Sequence, residues 1–256
     1  MRVDLLFDPF AARWTDVRSG ALAAEAAGFD GVWLYDHLAG SVHGAPHVLE
    51  CWTTLSAIAA LVPRIVIGPM VLNVANRDPG VLAVMAATLQ HVSQGRLLLG
   101  LGAGGGTDTP YAAEQQALGR RVLADPARRR AVEEAIAVLR AAWSGEVAGV
   151  GGFLRPEPPP PIVIGAFGSK MAELAGRLAD GINVPAGPGL SRLIESAREA
   201  HGRAGRSPDG FVVTTSGQPS AREPEALAKA GVDRLIIFVR PPYRDGIDRA
   251  RRTLER

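Results

Sequence analysis

The segment Gly28–Leu38, GFDGVWLYDHL, ends an apolar run on an acid and an imidazole, Asp36 and His37. Val32–Tyr35 is too apolar for a surface loop, so the pair is expected at the rim of a core. In parallel α/β folds the carboxyl ends of strands are where ligands bind. His37 is the only histidine of the chain with that placement, which makes it the candidate catalytic residue. An imidazole titrates near neutrality when unperturbed, so it can take a proton from a substrate or give one. Asp36 could orient the imidazole or meet a cofactor. Adjacent strand side chains point oppositely, so both can serve one site only where the strand has ended.

Three further motifs leave apolar runs on polar or glycine-rich exits. GRLLLGLGAGGG, Gly95–Gly106, ends in five glycines within seven residues. Glycine lets backbone approach a flat ligand closely, so Gly102, Ala103 and Gly104 are candidate cofactor contacts, with a flexible loop as the alternative. PPIVIGAFGSKMAELAGRLADGIN, Pro160–Asn183, turns through Gly165, Ala166, Phe167 and Gly168 into a helix starting near Ser169. The first amides of a helix lack intrahelical acceptors and can hold a phosphate; Ser169 adds a hydroxyl and Lys170 a cation. A bare strand-to-helix turn is the alternative, and the motif lacks the Gly-Lys-Ser/Thr ending of a P-loop. VLNVANRDPG, Val71–Gly80, offers Asn73 as a ligand contact, while Arg77-Asp78 can pin the loop.

His43, His47 and Glu50 lie close together in sequence, but no helix or strand fixes them as metal ligands, and no metal site is expected. His91 and His201 fall on helices and read as structural. Arg240 and Tyr243 leave the last apolar run toward the same face as His37 and could contact substrate.

Strands are expected at Val3–Phe7, Val32–Tyr35, Ile65–Val71, Leu97–Leu101, Ile162–Ile164, Gly181–Val184, Phe211–Thr215 and Leu235–Val239. Helices are expected at Thr15–Ala27, Trp52–Leu61, Gly80–Val92, Ala127–Trp143, Ser169–Leu178, Leu190–Ala204, Pro224–Ala230 and Arg244–Glu255. Asp78-Pro79 and Asp125-Pro126 each place a capping acid before a first-turn proline. This alternation over 256 residues fits an α/β fold of the (β/α)8 TIM-barrel type, read as one domain over 1–256 with shortened loops. A doubly wound sheet would carry a dinucleotide glycine fingerprint after the first strand, where Asp8-Pro9-Phe10 stands instead. Gly102–Pro126 reads as a loop on the catalytic side, and Gly145–Pro161 as an extended proline-rich connection.

A net charge of +2 is too small to imply a polyanion partner, and Arg128–Arg130 and Arg249–Arg252 read as solvated helix faces, so nucleic-acid binding is not expected. The single cysteine, Cys51, excludes an intramolecular disulfide and a cysteine-rich metal site. MRVDLLFD reads as a strand rather than a secretion signal, and no run spans a membrane, so a cytoplasmic protein is expected. Apolar helices such as Trp52–Leu61 suggest a homodimer, although packing on the barrel accounts for them equally.

Together, Ala24–His37, Arg64–Pro79, Gly95–Gly106, Arg128–Trp143, Pro160–Asn183 and Ala226–Val239 resemble the bacterial luciferase-like superfamily of flavin- and deazaflavin-dependent oxidoreductases. The resemblance implies a (β/α)8 barrel with a flavin-like ring across the strand ends and its phosphate at Gly165–Lys170. It implies a non-prolyl cis peptide at the third-strand exit, expected within about Leu72–Val74, so Val74 joins the cofactor candidates beside Asp36 and Asn73. The form Trp-Leu-Tyr-Asp-His-Leu is more similar to the branch that uses coenzyme F420 than to the FMN monooxygenases. That branch implies hydride transfer between F420 and a small organic substrate with His37 as general acid/base. An FMN-dependent monooxygenase and a non-catalytic flavin- or deazaflavin-binding protein are the alternatives. In the sugar-phosphate dehydrogenases of this branch a glutamate follows the fourth-strand Gly-x-Gly; Gly104 stands there instead, against a sugar-phosphate substrate.

Overall fold

Short apolar runs form parallel strands, and the alanine-rich segments between them form the helices that cover the sheet. The computed structural model describes residues 1–218 and 223–254. In chain order the elements are β1 (Arg2–Phe7), α1 (Trp14–Ala26), β2 (Gly31–Leu34), α2 (Cys51–Leu61), β3 (Val66–Pro69) and β4 (Leu72–Asn73). There follow α3 (Pro79–Val92), β5 (Leu99–Gly102), α4 (Ala112–Ala117), α5 (Asp125–Ser144), β6 (Ile162–Gly165) and α6 (Ser169–Leu178). The last are β7 (Gly181–Pro185), α7 (Leu190–Arg203), β8 (Val212–Gly217), α8 (Glu223–Lys229), β9 (Arg234–Val239) and α9 (Tyr243–Leu254). The expected end of the last helix at Glu255 lies outside the described residues.

The strands run in the order β3-β2-β1-β9-β8-β7-β6-β5-β4, all neighbours parallel. Ile67 bridges to Leu97, accepting from the Leu98 amide and donating to the Arg96 carbonyl, so the two ends of the sheet meet and the barrel closes. The expected third strand, Ile65–Val71, thus ends at Pro69 as β3, and β4 follows past its expected end to complete the same barrel position, giving eight positions from nine strands. The cis peptide lies in the break between them, at Met70–Val71, and not within Leu72–Val74.

Alternation along β1 sorts the interior. Leu5 and Phe7 face the helices, while Asp4 and Leu6 face the barrel axis, where Leu6 packs with Trp33, Met70 and Ile236. At the amino-terminal end the Asp4 carboxylate accepts from Trp33 Nε1 at 2.8 Å and from Arg234 Nε and a terminal nitrogen at 2.7 Å each. Tyr35 and Phe238 sit half-buried above Trp33, toward the carboxyl end.

Two local expectations change. Asp78 caps α3 through the Val81 amide as expected, but α5 starts one residue earlier than Asp125-Pro126 predicts. Ala124 takes the cap position, and Asp125, already helical, pairs with Arg128 instead. The segment expected as a loop from Gly102 to Pro126 carries the short helix α4.

Candidate active site

The carboxyl ends of the strands open into a cavity of about 660 Å3. It is lined by residues of the predicted set: Asp36, His37, Asn73, Gly102, Ala103, Gly104, Gly165, Phe167, Gly168, Ser169 and Lys170. Val74 and Ala166 do not line it; both side chains lie in the hydrophobic core.

His37 and Asp36 part company at the end of β2. Asp36 turns into the protein, its side chain fully buried. One carboxylate oxygen accepts from the Asn73 amide, Asn76 Nδ2 and Arg77 at 2.9, 3.2 and 2.9 Å, and the other from Arg77 at 2.8 Å. With both oxygens engaged, Asp36 does not orient His37; it anchors the turn after β4. Burial works against the Arg77 charge, but bonds to Asp36 and Glu50 outweigh that and raise its pKa. Arg77 therefore pins the loop, as one reading of the sequence has it. Asn73 uses its side-chain oxygen to accept from the Ala75 amide at 3.0 Å.

The partner of His37 comes from the far side of the mouth. Nδ1 lies 3.0 Å from Glu114 Oε1 on α4, a side chain only 5% exposed. Nε2 makes no hydrogen bond to any described residue. The ring is boxed by Phe10, Tyr111 and His43, with centroids 5.2, 5.1 and 5.3 Å away, and by the edge of Tyr35 at 6.1 Å. Burial and the nearby Asp8 charge push the Tyr35 phenol up to about 12, so it keeps its proton. Glu114, Tyr35 and Tyr111 were not singled out from the sequence. Glu114 is the only glutamate in the segment Gly102–Pro126, which was placed on the catalytic side.

The glycines at the strand ends prove to serve Val71. A Cβ on Gly102 would lie 2.5 Å from Val71 Cγ2, and one on Gly165 3.0 Å from it. The side chain that follows the cis bond thus occupies the space those glycines leave. Gly104, at φ +68°, is held against the Asn73 side chain. Gly168 is different: nothing lies within 4 Å of the place a Cβ would take, and it opens α6 beside exposed Ser169 and Lys170. Arg128, which also lines the cavity, bonds the Gly104 carbonyl and Asp125, while its Nε is buried without a partner among the described residues.

The other candidates hold structure. His47 Nε2 bonds the Ala12 carbonyl at 3.1 Å, and Glu50 caps α2 by accepting from the Trp52 and Thr53 amides. No cluster of three or more His, Cys, Asp or Glu able to hold a metal ion occurs among the described residues. His201 is buried with both ring nitrogens against carbonyls. Tyr243, which the sequence offered as a possible substrate contact, stacks on Phe7 at 4.2 Å and donates to the Asp8 carbonyl at 2.6 Å, and it does not line the cavity. Arg240 lies over the Phe238 ring, 3.8 Å from Asp8. Among the described residues no helix is long and apolar enough to cross a membrane.

The fold has close counterparts among solved structures. An F420-dependent secondary alcohol dehydrogenase in complex with an F420-acetone adduct superposes with a TM-score of 0.86 over 99% of this chain and 98% of that one, at 19% identity. The coenzyme F420-dependent tetrahydromethanopterin reductase from Methanopyrus kandleri gives 0.77 over 100% and 99%, at 18% identity. In sequence, an F420-dependent glucose-6-phosphate dehydrogenase from Microbacterium testaceum (strain StLB037) is 34% identical over 201 residues, 73% of this chain. The match covers 58% of that relative, so the chain spans less than two thirds of its length. The model of the luciferase-like monooxygenases matches residues 6–256, from the first barrel strand through the last helix, and the chain belongs to that family.

Proposed function

We propose that the protein is an F420-dependent oxidoreductase acting on a small organic molecule, with His37 as general acid/base. The observation that carries this reading is the His37–Glu114 pair at the cavity mouth. A glutamate on Nδ1 fixes the tautomer and stabilises the imidazolium, leaving Nε2 to exchange a proton with substrate. The resemblance of Asp36-His37 to the F420 branch, and relatives named as F420-dependent at 30–34% identity, favour the deazaflavin over FMN.

The residues present fit such a cofactor. The unpartnered Arg128 Nε, the open ground at Gly168, and the first turn of α6 with Ser169 and Lys170 suit an anionic tail. Gly102, Ala103, Gly104, Gly165, Phe167 and Val71, which line the cavity, would hold the ring. When bound, F420 supplies or takes up the hydride. His37 then gives or takes the proton at Nε2, Glu114 holds its ring, and Asp36 keeps Asn73 and Arg77 in register through buried bonds.

Titration of the purified protein with F420 and with FMN tests the cofactor. Selective F420 binding, weakened by Lys170→Glu, is the expected result; selective FMN binding overturns it in favour of a monooxygenase.

We further assign the protein as a homodimer through α2 and α3. Their 25 residues include no Asp, Glu, Lys or Arg, and Val81, Val84 and Val92 are exposed on α3. A two-fold interface sets a surface against itself, and an uncharged face does so without like-charge repulsion. Light scattering should show Val84→Asp converting dimer to monomer; an unchanged mass for that variant, or a monomeric parent, overturns the assignment. A cytoplasmic location fits a chain whose only thiol, Cys51, is buried against the Leu34 carbonyl.

A further inference from the structure

Trp33, Tyr35 and His37 are spaced two apart, so one face of β2 and its extension presents all three toward the barrel axis. Trp33 is tied to Asp4 at the closed end and His37 to Glu114 at the mouth. Tyr35 stands between them on the cavity wall, and its hydroxyl makes no hydrogen bond to any described residue. The chain's other cavity-lining tyrosine, Tyr111, lies tilted against His37 with centroids 5.1 Å apart, and Tyr243 spends its hydroxyl on the Asp8 carbonyl. Tyr35 therefore has a donor to offer and a ring fixed by Phe238, centroids 6.0 Å apart.

The surroundings also select charge. Phe10, Tyr111, His43 and Phe238 supply aromatic faces. The carboxylates at this end are Glu114, bonded to His37, Asp36, bonded to Arg77, and Asp8, whose charge acts on Tyr35. The cation set against Asp8 is exposed Arg240, 3.8 Å away. The cations Arg128, Arg129 and Lys170 line the opposite side, with Gly168. Arg77 is consumed by Asp36 and Glu50. An anionic substrate would meet carboxylates at the reacting end.

Resting on the F420 reading above, we infer that Tyr35 is a substrate-binding residue that donates a hydrogen bond to the reacting oxygen of an uncharged ketone or secondary alcohol, beside His37 Nε2. In the reducing direction the hydride forms a C–H bond at the carbonyl carbon as the C=O π pair moves onto oxygen. That oxygen takes the proton from Nε2, leaving neutral imidazole. Oxidation of the alcohol reverses both transfers. Tyr35 donates throughout and keeps its own proton, as its raised pKa requires.

Binding of [carbonyl-13C]cyclohexanone and of glucose 6-phosphate to the F420-loaded protein, followed by NMR, tests the inference. The expected result is a bound ketone with its carbonyl resonance shifted downfield and no displacement by glucose 6-phosphate. Tyr35→Phe, which keeps the ring, should lose part of that shift and bind the ketone about fivefold more weakly, the worth of one neutral hydrogen bond. Retention of the full shift and affinity in Tyr35→Phe, absence of ketone binding, or displacement by glucose 6-phosphate each overturns it. The F420 titration is run separately, so a protein that binds F420 yet fails these tests removes the role of Tyr35 and leaves the cofactor assignment standing.

Discussion

The barrel holds an acid against a basic partner at each end, and the two pairs differ in what they leave over. At the closed end Asp4 and Arg234 form a two-pronged bond, and Trp33 Nε1 adds a third donor to the carboxylate. Burial pushes the Asp4 carboxyl up, opposed by the Arg234 charge. At the mouth His37 and Glu114 share one bond, and Nε2 faces the cavity unpartnered among the described residues. A satisfied pair fixes structure, whereas a pair with an unused nitrogen beside a cavity can do chemistry.

Breaking the closed-end pair should have the largest effect on stability. Asp4→Ala strands Arg234 in the interior, at a cost of about 3–5 kcal/mol. Thermal unfolding should show a lower Tm while the folded fraction still binds F420; an unchanged Tm would equate the two ends. Breaking the mouth should reverse the pattern. His37→Ala should lower turnover by about 10²–10⁴-fold, the usual range for a general acid or base, with little change in Tm or F420 affinity. Glu114→Gln keeps an acceptor for Nδ1–H but loses the charge that assists it. A fall in kcat of about tenfold at constant KM is expected from the weakened bond, and stopped-flow turnover measures it.

The smallest effect belongs to Glu50. Burial pushes its carboxyl up, but the Thr53 and Trp52 amides and Arg77 outweigh that and hold it below its usual 4.5. A lowered carboxyl stabilises the fold above the unfolded-state value and loses that contribution as pH falls through the folded one. The Tm gap between the parent and Glu50→Gln should therefore be constant near neutrality and close as the pH drops below about 4.5. A gap that widens with acid would reverse the sign.

The barrel was legible because its signals are local: apolar runs of strand length, alanine-rich helical periods, and Asp78-Pro79 at a helix start. The place of His37 on the cavity was legible for the same reason, as the first imidazole beyond a strand. Its partner was not. Adjacency favoured Asp36, yet the turn at the end of β2 sends Asp36 to Arg77, while Glu114 arrives from 77 residues along the chain. The packing role of the glycines was hidden in a similar way. Gly102 and Gly165 do line the cavity, but only their position beside Val71, in the break between β3 and β4, shows whose side chain they make room for. Contacts between strands distant in sequence leave no trace in residue spacing.

Glu114 rides on a six-residue helix in a connecting segment, while His37 extends from a barrel strand. A helix that short has little stability of its own and opens more readily than the sheet beneath it. The His37–Glu114 pair thus spans two cooperative units of unequal strength. In rising urea, the proposed turnover should fade while the far-UV signal of the barrel is still intact, so that the site idles before the fold is lost.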